Sequence, residues 1–164
     1  TKLNIVVCDW IKSIVNETQI SFCLAGLSQF VPLLEMDSQL SRRFQYHFPL
    51  NALSLGSSES PGLIFSFLEE AEKQIKTRCG ISFDQSLDSP LIATQFYAAT
   101  AGNPAFIMSL LKDSVLFALQ NNREIITTGD FSFAWRQGTT AKVSLTKSDP
   151  FNMPYSVLVS RMRF

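Results

Sequence analysis

The sequence has few of the features that commit a protein to a membrane, to nucleic acid or to a metal. Among its 164 residues no apolar run approaches the roughly twenty that a bilayer-spanning helix needs, so we expect no membrane segment. Fourteen basic and fourteen acidic residues give a formal net charge of zero, so any DNA contact requires a local patch. The three cysteines and the single histidine lack metal-ligand spacing, which predicts no metal site and a reduced, cytoplasmic protein.

The stretch 5–49 organises the chain and begins with a helix and a strand. Apolar residues from Ile5 to Val15 recur at helical spacing, and Asn16-Glu17-Thr18 ends that helix. Ile20–Ala25 then carries no charge and alternates large with small residues. This pattern is typical of a strand buried on both faces of a parallel sheet, with Cys23 in the core.

A second helix and a second strand complete this stretch. The helix ends in two adjacent arginines, Arg42 and Arg43, and either Asp37 or Ser38 can cap its last turns. Residues 45–48 have the pattern of the next strand. Together the elements predict half of an α/β nucleotide-binding sheet.

The second half of the chain is predicted to be helical. A loop rich in Gly, Ser and Pro at 56–62 marks a boundary. Four helices follow between 63 and 137, two of which begin at the start signals Ser89-Pro90 and Asn103-Pro104. Residues 138–164 are less regular and contain either a strand at Tyr155–Val159 or a docking tail.

Several motifs in these segments resemble one known family. DWIKSIVNETQISFCLAGL at 9–27, LLEMDSQLSRRF at 33–44 and FPL at 48–50 are similar to the distal half of the AAA+ module of TniB-type (TnsC-like) transposition ATPases. FSFLEEAEKQI at 65–75 and ATAGNPAFIMSLLKDSVLFAL at 99–119 resemble that family's helical lid. The resemblance covers roughly residues 5–137. Its most specific parts are the Asn-Glu-Thr helix end, the Ala-Gly after the strand and the Arg-Arg-Phe.

The chain departs from the family in its nucleotide-binding motifs. No Gly-x-x-x-x-Gly-Lys-Ser/Thr occurs, so no backbone loop with a lysine is available to cradle phosphates. The apolar strand that ends in Asp-Glu, the metal-binding strand of the family, is also absent. IVVCDW at 5–10 resembles this strand end, but Trp10 stands in the position of the second acid. The family register also places Asp9 in the helix that follows the metal-binding strand. The chain also begins at Thr1 without a methionine. We therefore expect a fragment of a longer protein.

The resemblance implies both a fold and a function. The fold is α/β: a partial AAA+ (P-loop NTPase) core at 1–55, a linker at 56–62, a helical lid at 63–137 and a C-terminal extension at 138–164. The parent protein would be a cytoplasmic, ATP-dependent transposition regulator that forms an oligomer on target DNA and recruits a transposase and a target-selection protein. ATP and Mg²⁺ would bind the full-length parent, and neither is expected on this chain alone.

Arg42 and Arg43 are the principal candidates for catalysis. In AAA+ rings an arginine at this helix end reaches the γ-phosphate bound by the neighbouring subunit and stabilises transition-state charge. We favour Arg43 because it directly precedes the predicted strand. The alternative is a solvated surface pair, or one arginine that neutralises Glu35 or Asp37.

The resemblance implies two weaker candidate sites. Ser28 lies where the family's sensor would orient the attacking water, although a helix cap is the commoner role for such a serine. Gly102 and Asn103 lie where many AAA+ lids carry a sensor arginine, but no arginine follows here. The free amides at this helix start could hold an anion, and an N-cap is the plainer interpretation.

Two functions of other classes stay open. The chain could be a self-contained helical adaptor or regulatory domain that is indifferent to ATP and DNA, although such a domain would not need the buried strand predicted at Ile20–Ala25. It could also be a small-molecule enzyme, but no acid/base constellation in the sequence supports that function.

Overall fold

The computed structural model describes residues 2–18, 20–57 and 60–162; of residues 2–5, 28 and 33 it describes the backbone alone. The chain divides into two units, Thr1–Leu50 and Asn51–Phe164. The described residues form eight α-helices and one two-stranded parallel sheet, so the fold is mostly helical. The linker predicted at 56–62 falls inside the second unit.

The first unit contains three α-helices, α1 (Lys2–Glu17), α2 (Val31–Met36) and α3 (Ser38–Arg43), with a 3-10 helix at Ser28–Phe30 before α2. Helix α1 ends at the predicted place. There the amide and hydroxyl of Thr18 both donate to the carbonyl of Ile14, at 3.1 and 2.8 Å. These bonds satisfy a carbonyl of the last turn and stop the helix.

Asp37 divides the predicted second helix into α2 and α3. Its backbone is extended, with φ −100° and ψ 109°, so α2 cannot continue through it. Its carboxylate accepts hydrogen bonds from the amides of Gln39 and Leu40, at 2.9 and 3.1 Å. Asp37 is therefore the N-cap of α3, which confirms one of the two predicted caps.

The strands predicted at Ile20–Ala25 and 45–48 are wrong for the described residues. Residues 20–27 and 44–50 have no regular secondary structure, and Ile20 is 69% exposed. Cys23, predicted to be buried, is also exposed. An apolar alternating run becomes a strand only when neighbouring strands pair with its amides and carbonyls, and no described residue does so here.

The second unit contains five α-helices and both strands: α4 (Leu63–Cys79), β1 (Ser82–Phe83), α5 (Pro90–Thr100), α6 (Pro104–Gln120), β2 (Ile125–Ile126), α7 (Thr128–Gln137) and α8 (Tyr155–Arg161). The four helices predicted between 63 and 137 are confirmed, and α5 and α6 begin at the two predicted prolines. Strands β1 and β2 pair in parallel, with Ser82 opposite Ile125. This short pair is the one sheet that the described residues form, and a single antiparallel bridge also joins Gly56 to Pro61.

The core of the second unit is centred on three aromatic rings from α5, α7 and the 3-10 helix Pro150–Asn152. Phe96 meets Phe131 and Phe151 edge-on, with ring centroids 5.0 and 5.4 Å apart. Buried aliphatic residues of α4, α5 and α6 surround the rings, among them Ile64, Leu68, Ile92, Ile107, Leu110 and Leu111. The helices of this unit thus share one continuous core.

The C-terminal residues belong to this unit and end in a helix. Tyr155–Val159, one of the two structures proposed for residues 138–164, is not a strand but the first part of α8. Leu158 of α8 is fully buried against Ala98 and Met153. The amide of Leu145 donates to the carbonyl of Ala98 at 2.8 Å, so the segment before α8 also packs on α5.

Candidate functional site

The two candidate arginines form the last turn of α3. Both side chains are exposed, at the end of a helix where unpaired carbonyls favour positive charge. The carbonyl of Arg42 accepts a hydrogen bond from the amide side chain of Gln45 at 2.8 Å. The chain that follows is irregular, so the argument that favoured Arg43, a strand directly after it, has no basis in this structure.

Arg43 is held by α1, whereas Arg42 is not. Arg43 donates through Nη2 to the side-chain oxygen of Asn16. No described residue accepts a hydrogen bond from the Arg42 guanidinium or forms an ion pair with it. The two arginines of the motif therefore occupy different environments.

A second polar contact joins α1 to the start of α3. Lys12 bridges Asp37 and Asp9, with nitrogen–oxygen distances of 2.9 and 2.7 Å. The hydrogen bonds that Lys12 donates to Asp37 and Asp9 raise the pKa of Lys12 well above its usual range. The bond from Lys12 and the bonds from the cap amides lower the pKa of Asp37. Lys12 therefore stays charged and ties the N-cap of α3 to α1.

The sequence placed Asn16 at the end of α1, but it did not predict that Lys12 and Asn16 contact Asp37 and Arg43. They are four residues apart on α1 and so lie on one face of that helix. Lys12 is partly buried, and its charge interrupts the apolar stripe of α1, which is the signal that could have identified it. Asn16 is exposed and carries no such signal.

Ser28 begins the 3-10 helix Ser28–Phe30, and its side chain lies outside the described residues.

Gly102 and Asn103 lie in the second unit, between α5 and α6. Asn103 is the N-cap of α6, and its side-chain oxygen accepts from the amide of Ala105 at 3.0 Å. Gly102 has φ +72°, and its carbonyl accepts from the amide of Leu53 at 2.7 Å. The N-cap interpretation of Asn103 is confirmed, and Gly102 has a packing role against the segment that precedes α4.

We expect Gly102→Ala to destabilise the second unit by about 2 kcal/mol or more. The new Cβ would lie 2.3 Å from the carbonyl oxygen of Leu53, in a backbone conformation that alanine already disfavours. Gly80→Ala is the matched control: its φ is +68°, but no atom lies within 4 Å of the Cβ position. Denaturant unfolding of both variants separates the two effects. Equal losses would contradict the close-approach argument.

Glu72 is a buried carboxylate that lines an open depression on α4. It accepts hydrogen bonds from Lys76, from the Ser86 hydroxyl and from the Leu87 amide, at 2.5, 3.1 and 2.7 Å. These bonds fix the loop before α5 and leave the carboxylate fully engaged. The arrangement explains why a charge is buried here, and it offers no free acid or base for catalysis.

Asp130, buried at the start of α7, is also engaged. Its carboxylate accepts from both terminal nitrogens of Arg123 and from the amide and hydroxyl of Thr127. Burial raises the pKa of Asp130, but the bonds from Arg123 and Thr127 outweigh that effect and hold it below the ordinary value. This is a structural ion pair that joins the α6–β2 connection to α7.

Comparison with known proteins identifies no relative: no protein-family model matches the chain, and no curated protein does. The described residues also lack two features that would indicate a function. They contain no cluster of three or more His, Cys, Asp or Glu side chains suited to a metal ion. No helix there is both long and apolar enough to cross a membrane. The family resemblance therefore rests on the sequence motifs.

Proposed function

We propose that this chain is part of an ATP-dependent regulator of DNA transposition of the TniB type. In this proposal the whole protein forms an oligomer on target DNA and recruits a transposase and a target-selection protein. The chain itself contributes contact between subunits and does not hydrolyse ATP.

The observation that carries the proposal is the exposed arginine pair at the end of α3. The motif that contains it, LLEMDSQLSRRF, is among the segments most similar to the family. In the structure the Asp of that motif caps α3, and Arg42 and Arg43 form its last turn. An exposed arginine at a helix end can extend its guanidinium to a phosphate on another subunit, where it stabilises negative charge on the phosphate oxygens.

The helical second unit gives further support. Four helices occur where the resemblance implies a lid, and α6 begins at the Gly-Asn-Pro of the second lid motif. This agreement concerns secondary structure and is also compatible with other helical domains. It supports the proposal less strongly than the arginine motif does.

The described residues do not fit Mg²⁺-ATP by themselves. The sequence has no phosphate-binding loop, and the described part offers no carboxylate cluster for a cation. We therefore assign nucleotide and Mg²⁺ to the rest of the parent protein and derive no step of hydrolysis from this chain other than charge stabilisation by an arginine.

ATP hydrolysis by the full-length gene product tests the proposal. We expect DNA to stimulate hydrolysis, and we expect the double variant Arg42→Ala/Arg43→Ala to reduce turnover by about 10³-fold or more while it still binds nucleotide. Arg78→Ala, which removes an exposed arginine from the last turn of α4, is the control and should retain full activity. A full-length protein that neither binds nor hydrolyses ATP would overturn the proposal.

A helical adaptor without nucleotide dependence is the second candidate. It is favoured by the absence of the predicted strands from residues 20–27 and 44–50, together with the complete core of the second unit. An adaptor would be a monomer or a fixed dimer whose mass, measured by light scattering, does not change with ATP or DNA. The regulator is expected to form larger assemblies when both are present.

A further inference from the structure

Residues 42–48, with the sequence RRFQYHF, combine positive charge with aromatic rings in a stretch that contains no acid. No Asp or Glu occurs between residues 38 and 58, although the whole chain has as many acidic as basic residues. No described carboxylate lies within ion-pair distance of Arg42 or Arg43. In a chain without net charge, such a stretch is the local positive patch that attraction of a polyanion requires.

Two aromatic residues of this stretch are almost fully exposed. Tyr46 and Phe48 are each 83% exposed, more than any other aromatic residue whose side chain the structure describes; Trp10 follows at 65%. A ring of this size is ordinarily covered, because its burial is one of the largest apolar contributions that a side chain makes. Two uncovered rings close together in sequence therefore indicate a contact surface.

Local hydrogen bonds turn the polar side chains of the stretch back onto the chain. The side-chain amide of Gln45 donates to the carbonyl of Arg42, and Nε2 of His47 donates to the carbonyl of Phe44, both at 2.8 Å. These bonds engage the residues that alternate with the two exposed rings. The rings are consequently left as the free side chains of this part of the stretch.

The arginines also keep donors for an external anion. Arg43 donates through one nitrogen to Asn16, and no described residue accepts from the Arg42 guanidinium. A guanidinium has five N–H donors, so both side chains can still pair with phosphate oxygens. Arginines that alternate with exposed rings match the chemistry of a single-stranded nucleic acid, whose phosphates pair with cations while its unpaired bases stack on aromatic faces.

Two other anionic surfaces fit the stretch less well. In a duplex the base faces are stacked on one another and are not open to the rings. A membrane surface is typically bound by an amphipathic helix that inserts one apolar face, whereas residues 44–50 have no regular secondary structure.

We propose that residues 42–48 bind single-stranded nucleic acid, with bases stacked on Tyr46 and Phe48 and phosphates paired with Arg42 and Arg43. The inference goes beyond the proposed function and does not rest on it, because this binding needs neither ATP nor an oligomer. The arginines serve in both proposals. Variants of the two rings, which leave the arginines in place, therefore separate one proposal from the other.

Fluorescence anisotropy with the 164-residue chain, without ATP, tests the stacking. We expect labelled oligothymidylate of about ten nucleotides to bind at least tenfold more tightly than the same strand in a duplex. Tyr46→Leu and Phe48→Leu should each weaken binding about tenfold, because leucine is apolar but has no face for a base. Tyr46→Phe should bind like wild type. Oligouridylate, measured in parallel, shows whether DNA or RNA is the tighter ligand.

Tyr155→Leu is the matched control for the ring variants. Tyr155 is 49% exposed and belongs to the second unit, so its loss should leave the affinity unchanged. Circular dichroism of every variant identifies any that fails to fold.

The salt dependence of binding tests the arginines separately. For a single strand the logarithm of the binding constant falls with the logarithm of the salt concentration, with a slope of about −0.7 for each phosphate neutralised. Arg42→Ala should therefore make the slope shallower by about 0.7, and Arg42→Ala/Arg43→Ala by about 1.4. Lys147→Ala, which removes an exposed lysine from the second unit, should leave the slope unchanged. This measurement carries the test if a leucine variant unfolds.

Three results would overturn the proposal. The first is no binding to either single strand at protein concentrations up to about 100 µM, the weak end of non-specific binding to nucleic acid. The second is wild-type affinity in both leucine variants. The third is tighter binding to phosphatidylserine vesicles than to either oligonucleotide, which would assign the stretch to a membrane surface. None of them affects DNA-stimulated ATP hydrolysis by the full-length protein, so the proposed function would stand.

Discussion

Phe96→Ala is expected to lower the free energy of unfolding of the second unit by about 3–5 kcal/mol. The Phe96 side chain is fully buried, and its ring makes edge contacts with the rings of Phe131 and Phe151. The ring centroids of Phe131 and Phe151 are 5.5 Å apart. Its removal leaves a cavity between three elements that the other two rings cannot fill without a shift of α7 or of the 3-10 helix that carries Phe151. Since domains of this size are stable by only about 5–15 kcal/mol, the variant should be close to unfolding at 37 °C.

Tryptophan fluorescence in urea measures this effect within one unit. The chain has two tryptophans, Trp10 in the first unit and Trp135 in the second. Trp10 is 65% exposed and Trp135 is 8% exposed, so a Trp10→Phe background leaves one buried reporter beside the core. Phe133→Ala is the matched control, because this ring is 38% exposed and stacks on Phe117 alone among the described aromatic residues. We expect a loss of about 1 kcal/mol there. Equal losses in the two variants would contradict the central role of Phe96.

The helices were predictable because local signals specify them. Ser89-Pro90 and Asn103-Pro104 fix the starts of α5 and α6, since proline at the first helical position lacks only a donor that the helix does not use. The Asp37 carboxylate likewise caps α3 by accepting hydrogen bonds from amides two and three residues further along the chain. Such signals act within one turn and need no tertiary context.

The strands were not predictable in the same way. Ile20–Ala25 has the composition of a buried strand, but a strand exists only through pairing with chain that is distant in sequence. The pairing that does occur, between Ser82–Phe83 and Ile125–Ile126, involves two residues a side, too few to give a periodic pattern. Tyr155–Val159 shows the opposite error: a β-branched and aromatic run became α8 because Leu158 packs on Ala98.

The candidate site shows the same limit. Sequence motifs indicated that Arg42 and Arg43 were worth attention, but they could not separate adjacent residues of the same type. The difference between them comes from Asn16, which is 27 positions before Arg43 in sequence and accepts a hydrogen bond from its guanidinium. The reason for favouring Arg43 over Arg42, a strand directly after it, is removed because residues 44–50 have no regular secondary structure.

Asp130→Ala is expected to destabilise the second unit by about 2–4 kcal/mol. The change removes the carboxylate of a capping box at the start of α7 and leaves the Thr127 amide and the Arg123 guanidinium without their acceptor. Asp130→Asn keeps the shape and one acceptor oxygen but loses the charge, so we expect an intermediate loss. Asp84→Asn, an exposed carboxyl in the loop after β1, should leave the free energy of unfolding nearly unchanged.

The pH dependence of unfolding distinguishes the charge of Asp130 from its packing. Because the pKa of Asp130 is lower in the folded chain than the ordinary value of 3.8, its charge stabilises the fold at pH values above 3.8. That contribution is lost as the pH falls through the lower folded value. The difference in stability between wild type and Asp130→Asn should therefore be constant from about pH 7 to pH 5 and should shrink below about pH 4. A difference that persists unchanged into acid would mean that packing, and not the ion pair with Arg123, accounts for the loss.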